Sequence, residues 1–308
     1  MSSKGIKKKT EFGLTKKKSM KSNLSDKIVS RSILPECNKL IQYTNTFLST
    51  GYRLNFTAKE ALNSMFYCHN DTINQWSHLL SLIGAIVLYL ITLFTDFRVK
   101  ALSGYEKSIF CVYLFGCIFV FASSTILHIF DCGSVQLSNV LLKLDLTGIA
   151  VMIMTSFVPP LYFVFCEYAK IRTSYIVMIF TIGGTLISIT WSPRDLLTEF
   201  RYLRTLLFVL MVTSGLVPTV HILIHVPSPH CWKIFFTLMA MFLTYGIGTL
   251  FYAFFIPERW SKSHKFDFLG HSHQWWHFFV TLGAFIHFKL ILICIEYHLT
   301  FGPASQTI

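Results

Sequence analysis

The chain has 308 residues, 53% hydrophobic and 14% charged, with a mean hydropathy of +0.54 and a formal net charge of +12. That leaves too little polar surface to cover an ordinary water-soluble domain, so the composition points to lipid as the solvent. No nucleic-acid partner is expected.

Residues 1–26 are rich in Ser and Lys, with Lys7-Lys8-Lys9 and Lys16-Lys17-Lys18. They read as a disordered basic cytosolic tail, serving either as a topology signal or as a patch drawn to anionic lipid. No apolar run with a small-residue cleavage site occurs there, so no signal peptide is expected and the first spanning helix directs insertion. Residues 27–74 mix apolar and polar positions. The spacing of Leu40 and Ile41, and of Leu62, Met65 and Phe66, predicts short amphipathic helices at the cytosolic interface. Asn23, Asn55 and Asn70 open glycosylation sequons, which are silent on that side.

A spanning helix needs about 20 mainly apolar residues. Seven such runs follow, at 75–94, 108–129, 141–165, 175–191, 205–224, 232–256 and 274–295. Pro-containing polar segments at 192–195 and 226–230 separate neighbouring runs, and the runs lack the alternation of a β-barrel. The expected fold is an all-α seven-transmembrane helix bundle over residues 75–295, with 296–308 as a short tail. The eight cysteines show no CxxC spacing and mostly sit in or beside apolar runs, so no disulfide framework is implied.

Of the 27 Lys and Arg residues, 13 precede residue 76, against five acids. The positive-inside rule then places the N-terminus in the cytosol and, after seven crossings, the C-terminus outside.

Ionisable side chains inside spans are costly and count as functional candidates. The second span ends at Ser124 to His128, the third carries Asp145 near its start, and the seventh begins His271-Ser272-His273-Gln274-Trp275-Trp276-His277. Alternating crossings bring those three helix ends to one, cytosolic, level. His273 and His277, four apart, stack on one helical face, and His128 adds a third imidazole. Three histidines and an open position suit catalytic zinc, which lowers the pKa of bound water to about 7. Asp145 is placed to hold or deprotonate the water, and Ser124, one turn before His128, to donate a hydrogen bond to an oxyanion. Cys132 offers an alternative fourth ligand that would close the site, and Asp145 alternatively pairs with Lys143 or caps its helix. Ser124 alternatively bonds its own backbone. His271 reads as a surface or outer-shell group, while His69 and His78 read as interfacial or packed on the bundle. His221, His225 and His230 lie toward the far side, and His287 and Lys289 either snorkel or line a polar interior.

The ordered motifs Asn74-Gln75-Trp76-Ser77-His78-Leu79-Leu80, Ser124 to His128, Leu144-Asp145-Leu146-Thr147-Gly148, Ser156-Phe157-Val158-Pro159, Val217-Pro218-Thr219-Val220-His221, Ile256-Pro257-Glu258-Arg259 and Ser272 to His277 resemble the progestin and adipoQ receptor family. The likeness is greatest to its adiponectin receptor branch, over about residues 28–300. The resemblance implies seven helices with a cytosolic N-terminus and Zn2+ on His128, His273 and His277, with Asp145 at the zinc water and Ser124 nearby. It further implies a fatty-acyl lipid or sphingolipid near the metal and ceramidase-like hydrolysis. Family membership leaves open an extracellular protein or steroid ligand, a homo-oligomer, and residence in the plasma membrane or the Golgi and endomembranes. Pro160 stands where an aromatic follows Pro159 in adiponectin receptors, and two indoles separate the helix 7 histidines. The alternative function is a non-enzymatic signalling receptor or membrane scaffold with structural zinc. A G-protein-coupled receptor is disfavoured by the basic N-terminus and by the lack of Asp-Arg-Tyr after the third span.

Overall fold

The computed structural model describes residues 27–34, 45–192, 201–225, 229–261 and 263–302. The basic tail, Leu40, Ile41 and the polar segment 193–195 lie outside them, as does the side chain of His225. Seven of the described helices are long and apolar enough to cross a bilayer, in register with the seven runs read from the sequence.

Two short strands, β1 (Ile28–Val29) and β2 (Tyr52–Arg53), pair antiparallel, with Ile28 opposite Arg53 and Val29 opposite Tyr52. The sequence reading expects only amphipathic helix here. The strands form because Tyr52 and Arg53 are buried and their backbone groups need partners. Helix α1 (Ala58–Ser64) follows, opened by a capping box in which the Thr57 hydroxyl and the Glu60 carboxylate satisfy each other's first-turn amides.

The spanning elements are α2 (Thr72–Thr95), α4 (Gly104–Phe130), α5 (Val135–Val164), α6 (Ala169–Thr190), the pair α7 (Arg201–Ser214) and α8 (Leu216–His225), α9 (Pro229–Phe254) and α10 (Ser272–Phe301). Short α3 (Phe97–Ala101) links α2 to α4. Ser103 and Glu106 form a second capping box at the start of α4, and Ser134 caps α5. Asp145 therefore lies three turns inside α5 and caps nothing. Pro229 opens α9, where a fixed φ and a missing N–H suit the first turn.

The fifth span, read as one run, is broken at Gly215. Pro218 has no N–H for the Ser214 carbonyl, and its ring crowds that carbonyl. The chain tightens there, with the Gly215 amide bonding the Val212 carbonyl at 3.2 Å.

Helix α10 is the most buried span and packs on α9, α5 and α2. Tyr89, Phe110 and Phe288 pack together in the main core, with the Tyr89 ring 4.8 Å from Phe110 and 5.1 Å from Phe288. Among the described helices the most extensively packed pair is α4 with α5. It is closed by glycine, since a Cβ on Gly148 would lie 2.9 Å from the Val120 Cα and one on Gly116 would collide with the Thr155 hydroxyl. This approach sets Ser124 of α4 against Asp145 of α5.

Candidate metal centre

At one end of the bundle the C-terminus of α4 and the N-termini of α5 and α10 meet. Alternating helix direction brings them together, and the Gly148 contact holds the first two. One nitrogen each from His128, His273 and His277 lies within 4.8 Å of the others. The His128 and His273 Nε2 atoms are 3.1 Å apart, and the His128 ring centroid is 5.0 Å from each of the other two.

The nitrogens facing away are occupied. His128 Nδ1 lies 3.1 Å from the Asp71 carboxylate, an acceptor that requires the proton on Nδ1. His277 Nδ1 lies 2.9 Å from the Ser77 hydroxyl, whose own proton goes to the Asn74 carbonyl at 3.0 Å. Hence His277 also donates from Nδ1. Both rings are left with Nε2 as the lone-pair nitrogen, the arrangement an ion requires.

These residues fit a tetrahedral cation such as zinc. Two nitrogens on one such ion at about 2.0–2.1 Å sit about 3.3–3.4 Å apart, close to the 3.1 Å between His128 and His273. At that distance a proton on His273 Nε2 bridges the two nitrogens in the metal-free site, and a cation would take its place. His128 and His277 are buried, whereas His273 and Asp145 are only partly buried and mark the open side.

Asp145 interacts with the Ser124 hydroxyl, one turn before His128 on α4, so it borders the cluster. Ser124 is buried, while its neighbours Ser123 and Thr125 bond back to the Val120 and Phe121 carbonyls. Tyr252 of α9 stands on the open side, its ring 5.6 Å from His273. Trp276 packs on Tyr252 and against Gly248, and Trp275 points outward among Phe251, Phe278 and Phe279. Both indoles are thus taken up on the α9 and outward sides.

Cys132 is buried, with its thiol 3.5 Å from the Ile129 carbonyl, and it is not part of the histidine group. His271 is not a surface group. It is buried, and Nε2 lies 3.2 Å from the Asn70 carbonyl. His78 packs closer than expected: its ring stacks on His277 with centroids 3.5 Å apart and planes 9° from parallel. The stacked His78 ring supports His277, and His78 is not part of the three-histidine group. His287 is remote from it, 2.9 Å from the Ser156 carbonyl through Nε2.

Sequence reasoning missed Asp71, Ser77 and Arg53. Arg53 is buried and bonds the His128 carbonyl at 2.6 Å, the Ile129 carbonyl at 3.0 Å, Asp71 at 3.3 Å and Asp131 at 3.0 Å. Burial opposes ionisation of Asp71, but the His128 ring and Arg53 outweigh it and hold that carboxyl well below the usual range. Burial, with the Asp71 charge adding to it, pushes Asp131 up to about 7. A buried Arg between two acids was the available signal, but Arg53 and Asp131 are 78 residues apart.

A family model for haemolysin-III-related proteins matches residues 66–288. Heptahelical transmembrane protein 1 of Arabidopsis thaliana is 33% identical over 278 residues, covering 88% of this chain and 82% of its own. Heptahelical transmembrane protein ADIPOR1 of Oryza sativa subsp. japonica is 31% identical, covering 88% of this chain and 85% of its own. The adiponectin receptor protein of Drosophila melanogaster is 33% identical, covering 86% of this chain and 60% of its own.

Proposed function

The chain belongs to the haemolysin-III-related family, which includes the progestin and adipoQ receptors, and from that membership together with its histidine cluster we propose an adiponectin-receptor-like zinc membrane receptor that hydrolyses a ceramide-like lipid amide. The carrying observation is the convergence of His128, His273 and His277 within 4.8 Å, beside a carboxylate and a buried hydroxyl. In this reading the N-terminus lies in the cytosol, the side that the basic bias before residue 76 supports, and the centre opens on that side.

His128, His273 and His277 would hold the zinc. When bound, zinc supplies Lewis acidity that polarises a carbonyl and makes water nucleophilic near neutral pH. Asp145 takes the proton from the attacking water and returns it to the departing amine, so one amide and one water become a carboxylic acid and an amine. Ser124 donates a hydrogen bond to the oxygen that gains charge at the attacked carbon. The lipid enters laterally from the bilayer on the open side, beside His273 and Tyr252.

The test is fatty-acid release from ceramide in mixed micelles by the zinc-loaded protein. Wild type releases acid, and Asp145→Asn keeps its zinc but loses at least about a hundredfold in rate. Zinc-loaded wild type with no release overturns the hydrolase reading. It leaves the second one, a signalling receptor with structural zinc, which the name of the Drosophila relative favours.

A further inference from the structure

The strongest unexplained feature is a chain of buried charges that reaches the histidine cluster from outside the bundle. It starts in β2 and the turn before α2 and ends on His128. Asp71 is central to it. One carboxylate oxygen, Oδ1, lies 3.1 Å from His128 Nδ1 and accepts from Asn74 Nδ2 at 2.9 Å, while Oδ2 accepts from Arg53 at 3.3 Å. The Asp71 amide donates to His69 Nδ1 at 3.1 Å. The His128 main chain is gripped from the same side, its carbonyl accepting from Arg53 at 2.6 Å and from Gln75 Nε2 at 2.7 Å.

We infer that Asp71 is a positioning residue for the metal centre: its carboxylate fixes His128 in the Nδ1–H form, so that Nε2 faces His273 and His277, and the segment before the first span is thereby part of the centre. This rests on the three-histidine metal reading. Side chains that ligate metal through one imidazole nitrogen usually donate the other N–H to a carboxylate or carbonyl, which sets the tautomer and ring angle. Charge balance accounts for the Oδ2 contact to Arg53, and an ordinary side-chain hydrogen bond within the first turn of α2 accounts for the Asn74 contact. They do not account for Oδ1 lying against His128 Nδ1.

The same segment is tied to the other ligand-bearing helix. Asn45 donates to Glu258 at 2.8 Å, and Glu258 accepts from the Ser272 amide at 2.8 Å and from its hydroxyl. Asp267 accepts from the Ser49 and Thr50 amides at 3.2 and 2.9 Å. Residues 45–71 thus strap the end of α4 that carries His128 to the start of α10 that carries His273.

The experiment measures zinc affinity by chelator competition on the full-length purified protein, for wild type, Asp71→Asn and Asp71→Glu. Asp71→Asn is expected to weaken zinc by roughly ten to a hundredfold. Cobalt substituted into it should give a shifted visible spectrum, and Asp71→Glu should recover part of the affinity. Unchanged affinity and an unchanged cobalt spectrum in Asp71→Asn overturn the inference. Wild type that takes up no zinc overturns the metal reading on which it stands, so the two failures are distinct. If Asp71→Asn does not fold, nitrogen-15 NMR of metal-free wild type, with His128→Gln used for assignment, decides. An Nδ1–H tautomer at His128 supports the role, and an Nε2–H tautomer overturns it.

Discussion

Replacing His287 with Leu should cost stability only because Pro160 stands on the facing helix. In α5 the Ser156 carbonyl would normally accept the amide four residues on, but that residue is Pro160. His287 of α10 supplies the missing donor, 2.9 Å away through Nε2. His287→Leu roughly preserves volume and leaves that carbonyl unpartnered in an apolar core. Such a group costs about 1–3 kcal/mol, and hydrogen bonds measured between membrane helices reach about 1.7 kcal/mol. The expected loss is about 1.5 kcal/mol. In a Pro160→Ala background the Ala amide serves the carbonyl, and the same change should cost less than about 0.5 kcal/mol. The contacts of His287 with the Tyr113 ring and the Met241 sulfur are common to both backgrounds and cancel. Unfolding of the four proteins in mixed micelles gives the cycle. Equal costs for His287→Leu in both backgrounds would refute the reasoning.

Gly148→Ala should destabilise by about 1–3 kcal/mol by overpacking against Val120, and should slow lipid hydrolysis because it parts Ser124 from Asp145; unfolding midpoints and the ceramide assay check both. Thr57→Ala should cost about 1 kcal/mol through loss of the α1 cap, read as earlier proteolysis of the segment before α2. Burial, with the Arg53 charge adding to it, lowers the pKa of His69 to about 4, so its folded pKa lies below the unfolded value. Its contribution to stability is therefore complete above about pH 6.5 and is lost as pH falls through about 4. A His69→Gln variant should lose less stability than wild type between those pH values, and parallel unfolding curves against pH would contradict the assignment.

The spans were legible because apolar length is a local property, and so was the His273 and His277 pair, whose spacing of four puts both on one face. His128 was legible once the crossings alternate, since that rule alone sends the end of the second span to the start of the seventh. The break at Gly215 was present in the sequence as Pro218 four residues after Ser214, a signal that apolar length overrides. Asp71 and Ser77 lie 57 and 200 residues from the histidines they touch. Nothing local marks them, because an acid before a helix reads as a cap and a serine in a span reads as bonded to its own backbone. The β1–β2 pair escaped for a related reason: two residues per strand carry no periodicity, and their pairing depends on the burial of Arg53 by α4. His78 is packed on the bundle, one of its two readings, but its partner was not legible because stacking on His277 is a property of two helix faces, α2 and α10.

The central claim is that three histidines hold one metal ion, and the measurement that tests it most directly is the zinc content of the purified, detergent-solubilised protein beside that of His273→Ala, His277→Ala. The account predicts about one zinc per wild-type chain and none in the double variant. Folded wild-type protein with no zinc would contradict it.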